Sequence, residues 1–160
     1  DTKLIGGSFR CDSSVPLADP AKIAIGKLEA TAAAVMRANS FSCSSGSAMD
    51  KVMRNAMNAE KHSLILFNSS ELEVKGRHAD GSLNLAAKGS LKVAGVSRPI
   101  ALDVKMVVLD GGKKVTFSGK TKVKMTDFGI KPPSPAVALG LIKTGDDVTL
   151  TFEWKTVRRD

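Results

Sequence analysis

Alternation of apolar and polar residues dominates the C-terminal two thirds of the chain. Leu83, Leu85, Ala87, Gly89, Leu91 and Val93 share one parity; Ser82, Asn84, Lys88, Ser90 and Lys92 share the other. A period of two marks a half-buried antiparallel strand. Residues 100–108 repeat it with Ile100, Leu102, Val104, Met106 and Val108, and Asp110-Gly111-Gly112 is a hairpin signal. Val115, Phe117, Gly119, Val123 and Met125 then lie on one face, with Lys120, Lys122 and Lys124 on the other. A last strand over 148–155 aligns Val148, Leu150, Phe152 and Trp154. Between the first two of these strands, VAGVSRPIALDV (93–104) places a Gly-Val-Ser-Arg-Pro turn between two apolar runs.

The N-terminal part is less regular. Leu4–Asp12 and Thr31–Phe41 are strand candidates, the second weakened by its alanine run, with Pro16 and Pro20 marking a loop between them. The continuous run Leu64-Ile65-Leu66-Phe67 reads as a strand buried on both faces. A helix is predicted over 48–60, with Ser47 as N-cap and Asp50 three residues on. Its stripe of Met49, Val52, Met53, Ala56 and Met57 suits packing, or the adaptable lid of an apolar cavity. The connection 131–145 is Pro-rich and unusually apolar, with Val137, Leu139, Leu141 and Ile142. It reads either as a loop folded over the core or as the lip of a cavity or contact surface.

With 160 residues and 42% apolar content, one domain spanning 1–160 with a packed core is expected. No run of about 20 apolar residues is present, so no transmembrane helix is expected. The chain starts at Asp1 without Met, which fits a processed protein whose signal peptide has been removed. The net charge is +8 and the pI about 9.7. The lysines are dispersed, aromatics are scarce and Tyr is absent, so the charge fits a solvated basic surface and not a nucleic-acid site. Two cysteines, Cys11 and Cys43, are too few and too far apart for a scaffold or a CxxC motif. Either they pair, in an oxidising compartment, or both are buried thiols. Pairing is the prediction, and a loop of that length adds about 3–4 kcal/mol on the chain-entropy model.

Catalytic chemistry is sparse. His62 and His78 are far apart, no HExxH or Cys/His cluster exists, and no metal site is expected. No GxSxG elbow, Walker loop or GxGxxG appears. His62 reads as structural at a helix–strand junction, and Asp146-Asp147 as a turn. Asp127 lies in a Asp-Phe-Gly that lacks every other kinase element. No catalytic residue and no cofactor are assigned. The residues alone point to an antiparallel β protein of seven to nine strands. A closed barrel gives their apolar faces one interior, and eight strands leave room for a small ligand.

Gly89-Ser90-Leu91-Lys92-Val93-Ala94-Gly95-Val96-Ser97-Arg98-Pro99-Ile100 resembles the G-x-L-x-[IV]-x-G-V-[ST]-[RK]-P-[VI] signature of YceI-like proteins. The helix Met49–His62, the following Ile65 and Phe67, Thr126-Asp127-Phe128-Gly129 and Gly145-Asp146-Asp147-Val148 match further landmarks in the family's order. Ser63 stands where the family has Pro, and Lys124-Met125-Thr126 where an arginine often precedes the Asp-Phe-Gly turn. The resemblance implies an all-β, eight-stranded antiparallel lipocalin-like barrel with one short helix between strands. It implies binding of a polyisoprenoid or other long-chain lipid, no catalysis, and a bacterial periplasmic or secreted location. Gly95 would permit a tight approach in the turn, and Pro99 would fix its exit.

On this reading the tunnel is lined by Phe67, Leu91, Val93, Ile100, Leu102, Val104, Phe117, Met125, Phe128, Leu150 and Phe152, with Met53 and Met57 closing one end. The expected partner is an apolar small molecule or lipid, with transient membrane contact and no nucleic acid, for a monomer or homodimer. The alternative is a filled barrel acting through its outer surface as a cell-envelope interaction module.

Overall fold

A computed structural model describes residues 5–42, 46–133 and 145–159. These form one antiparallel sheet of eight strands: β1 (Ile5–Cys11), β2 (Gly26–Lys27), β3 (Ala30–Arg37), β4 (Leu64–Arg77), β5 (Leu83–Val93), β6 (Val96–Leu109), β7 (Lys114–Lys124) and β8 (Asp147–Val157). One helix, α1 (Ser47–Ala56), lies between β3 and β4. The ladder runs β1-β3-β4-β5-β6-β7-β8, with β2 paired to β4 beside it. The fold is all-β, and the sheet curls until its first strand meets its last two. There the Phe9 ring stands edge-on to Phe117 at 4.8 Å, and Phe117 stacks on Trp154 at 5.5 Å. Among the described residues the seam is closed by these side chains, and no ladder joins β1 to β8.

The parity read from sequence sets the concave face. Leu83, Leu85, Ala87, Gly89 and Leu91 pair with Met106, Val104, Leu102, Ile100 and Arg98 across β5–β6. Phe117 and Gly119 pair with Trp154 and Phe152 across β7–β8, while Lys120, Lys122 and Lys124 are exposed on the convex side. Gly89 and Gly119 sit under aromatic rings. A Cβ at Gly89 would lie 2.9 Å from Phe67 Cε2, and one at Gly119 2.7 Å from Phe152 Cζ. The missing side chains thus leave room for the two phenyl groups to lie over the strands.

β4 bends at two bulges, between Ser69 and Glu71 and between Val74 and Gly76. Ser69 Oγ accepts the Ala32 amide at 2.8 Å, so a side chain extends the β3–β4 ladder at the first bulge. β6 pairs with β7 only from Val104 onward; among the described residues the preceding stretch, including Pro99, has no ladder partner on that side. Proline is tolerated there because no ladder partner requires its missing N–H.

Four expectations need correction. The run Leu64–Phe67 is not buried on both faces: Ile65 is buried, whereas Leu64 is 44% exposed, as in a strand with one wet face. Ser47 is the first helical residue, and the N-cap is Gly46, without a side-chain cap bond. The helix stops at Ala56, not at 60, because Asn58 takes φ +50° and its carbonyl accepts from His62. The β5–β6 turn is the two-residue Ala94-Gly95, with both φ positive (+50° and +82°), the geometry that matches strand twist. Val96 to Pro99 therefore belong to the strand and do not form the turn, and Pro99 pairs with Ser90 and does not set the turn's exit.

Candidate functional site

The concave face divides into two halves. At the end where β4 leads into β5, the core is filled. Leu83, Leu85, Val74 and Met106 are the largest fully buried side chains, packed with Leu72, Val104, Val115, Phe117 and Trp154. The segment before β3 seals this end with buried Ile23 and Leu28. Arg77 holds that segment by donating to the carbonyls of Pro20 (2.9 Å), Ala21 (3.2 Å) and Ile23 (3.1 Å). This seal carried little sequence signal, since its apolar residues follow neither period.

At the other end, where α1, the Ala94-Gly95 turn and the ends of β7 and β8 meet, the buried cluster among the described residues is Ile65, Leu91, Phe128 and Ile130. Around them Phe67, Val93, Ile100, Val123, Met125, Leu150, Met36 and Met57 are half-buried. Large apolar groups on a concave face that remain half-exposed are surface that a ligand could take from water.

The predicted lining residues divide along this boundary. Val104 and Phe117 belong to the filled half. Leu102 and Phe152 are half-buried at its edge. Phe67, Val93, Ile100, Met125 and Leu150 come together in the open half, with Leu91 and Phe128 buried among them. Met125 lies one residue past β7, as the N-cap of the 3-10 turn Thr126–Phe128. That turn fills the gap where β6 and β7 are unpaired. Met57 packs on the open-half cluster, and Met53 is half-buried. Met36, Ile65, Val123 and Ile130 were not foreseen, although parity does point to Ile65 and Val123. The apolar loop reading falls on residues 134–144, which lie outside the described residues.

Polar groups at the rim are structural. The His62 ring packs against Gly95, where a Cβ would come within 2.6 Å of its Cε1. Asp146 accepts the Thr126 amide (2.9 Å) and hydroxyl (2.6 Å), which hold its carboxyl below the usual range and tie β8 to the 3-10 turn. Asp147 pairs with Lys124 at 3.1 Å. His78 lies at the opposite end, in the β4–β5 turn. Among the described residues no three His, Cys, Asp or Glu side chains gather as metal ligands. Cys11 is half-buried on β1, and burial pushes its thiol up to about 11. Its predicted partner, Cys43, lies outside the described residues.

Two clefts lie away from the concave face. One of about 490 Å³ beside α1 is lined by polar groups including Asn39, Lys51, Arg54 and Asn58. The other, of about 400 Å³, crosses the first β4 bulge at Ser70, Lys88, Gly89, Pro99, Ile100 and Ala101.

Eight antiparallel strands curled into one sheet with an apolar concave face place the fold among the lipocalin-like barrels. Within that class the chain belongs to the YceI-like domain family, whose model matches residues 3–156. It is 30% identical over 150 residues to a UPF0312 protein of Pseudomonas aeruginosa, covering 87% of this chain and 69% of that one. A UPF0312 protein of Shewanella baltica is 35% identical over 127 residues, covering 72% and 64%. Among solved structures, the fold is similar to the Campylobacter jejuni YCEI protein (TM-score 0.69, 20% identity, 100% and 84% covered). It is also similar to a polyisoprenoid binding domain from Saccharophagus degradans (TM-score 0.68, 12% identity, 96% and 82% covered).

Proposed function

We propose that the protein binds the apolar chain of an isoprenoid-type lipid in the open half of its barrel, carrying or storing it without catalysis. The observation that carries this reading is the contrast in burial along one concave face. Leu83, Leu85, Val104 and Met106 are buried at one end, whereas Phe67, Val93, Ile100 and Leu150 are only partly buried at the other. Covering that surface with a prenyl chain is favourable by about 25 cal/mol per Å² of apolar area. The likeness to a polyisoprenoid binding domain supports the same ligand class. Export to the bacterial periplasm is part of the proposal; signal cleavage and cell fractionation of the tagged protein test it.

The binding test is native mass spectrometry of gently purified protein, followed by solvent extraction and lipid identification. A stoichiometric adduct with a prenyl fragmentation pattern is expected. Should the protein emerge without lipid, prenylated quinones and alcohols are added back. Failure of all of them to bind or to raise the melting temperature would refute chain binding and leave the outer surface as the working face.

A further inference from the structure

Among the described residues, Arg98 places a cation on the concave face of the open half. Arg98 pairs with Leu91 in the β5–β6 ladder, and therefore shares a face with Leu91 and Ile100, yet its side chain is exposed. Its Nε donates to the Asp127 carbonyl at 2.6 Å. That acceptor is the spare one of the 3-10 turn. The Met125 carbonyl already takes the Phe128 and Ile130 amides, and the Thr126 carbonyl takes Gly129. The bond fixes the plane of the guanidinium and leaves both terminal amino groups without a partner among the described residues.

The charge also has no ion-pair partner among the described residues. No carboxylate of the described residues comes within ion-pair distance of Arg98. Of the nearby acids, Asp127 meets Arg98 through its carbonyl, its carboxylate lying beyond ion-pair distance, while Asp146 is engaged by Thr126 and Asp147 by Lys124. Residues 128–145 contain no Asp or Glu. A planar guanidinium with a free pair of N–H donors matches the two oxygens of a phosphate or carboxylate.

From this we infer that Arg98 recognises an anionic head group, and that the preferred ligand is an amphiphile with a phosphate or carboxylate at the end of its apolar chain. The inference rests on the proposed chain binding and adds the chemistry of the head. The orientation follows: the chain lies along Ile100, Phe67 and Leu150, and the head stays in water at the rim. Arg98 is then a specificity residue rather than part of the apolar wall.

Geranylgeranyl phosphate and geranylgeraniol, which share a chain and differ in the head, are titrated into wild-type, Arg98→Gln and Arg98→Lys protein, with inorganic phosphate as a third ligand. Wild type should prefer the phosphate on the order of tenfold or more, the worth of a charge-assisted pair. Arg98→Gln should abolish the preference with geranylgeraniol affinity unchanged, and Arg98→Lys should restore part of it. Equal phosphate affinity in wild type and Arg98→Gln overturns the assignment. So does a parallel fall for both lipids, which marks Arg98 as only a brace for the 3-10 turn. Inorganic phosphate binding as tightly as the prenyl phosphate would overturn it too, since the cation would then act apart from the barrel. If neither lipid binds wild type, chain binding itself fails; if geranylgeraniol binds but the phosphate gains nothing, only the head-group assignment fails.

Discussion

Leu85 and Ile100 offer a matched test of the two-halved barrel. Both are six-carbon aliphatic residues on the concave face of neighbouring strands. Leu85 is 1% exposed within the filled half, and Ile100 is half-buried in the open one. Leu85→Ala removes three buried carbons and leaves a cavity, at a cost of about 3 kcal/mol. For a chain of this size that lowers Tm by roughly 6–12 °C. Ile100→Ala removes as many carbons, but from a side chain already partly in water, and leaves no sealed cavity. At about 0.8 kcal/mol per buried methylene, and without the cavity term, the cost is about 1.8 kcal/mol, or roughly 4–7 °C. Urea and thermal unfolding of delipidated protein measure both. Geranylgeraniol should then stabilise the Leu85 variant by as much as wild type, and the Ile100 variant by less. Equal costs for the two substitutions without lipid would refute the reasoning, because both halves would then be packed alike.

Three further outcomes are expected. Gly95→Val should cost about 2 kcal/mol in urea unfolding, since φ is +82° and the His62 ring occupies the Cβ position; Gly95→Asn, more tolerant of that φ, should separate backbone strain from the ring clash. The Asp80 carboxyl is held low by hydrogen bonds from Lys105 first and Ser82 second. Its contribution is therefore full above the ordinary carboxylate pKa of about 4 and fades as pH falls below it, so Asp80→Asn should be less stable than wild type at neutral pH and converge with it in acid. Thiol titration of unfolded, unreduced protein should find no free thiol if Cys11 and Cys43 pair; two free thiols would exclude the bridge.

Sequence parity was enough to find β5 to β8 and the concave identity of Leu91, Ile100, Phe117 and Phe152, because each strand has one wet face and no bulge. β4 was legible only at its start. Its two bulges shift the parity between Ser69 and Val74, so the later residues read as a broken pattern. The helix start was misread because Ser47 has the right chemistry for a cap, whereas Gly46, with φ +95°, takes the backbone position. Parity could not separate filled core from open wall either. Val104 and Ile100 look identical in sequence, and what distinguishes them is the seal of Ile23, Leu28 and Arg77 at one end. Arg98 stood in a recognisable motif, but its place on the concave face needed the register of the Ala94-Gly95 turn.

The ladder order has a consequence for how the chain folds. From β3 to β8 every strand pairs with its successor, so most contacts join neighbours in sequence and can zip up hairpin by hairpin. The contact of Phe9 with Phe117 joins residues 108 positions apart. Loop-closure entropy rises with the logarithm of that separation, by about 0.6 kcal/mol per doubling, so this contact costs about 2 kcal/mol more to form than a hairpin of some fifteen residues. The seam should therefore close last and open first. Amide exchange should be fastest in β1 and slowest in β5 and β6, and the sheet should first part along the line where Phe9 meets Phe117.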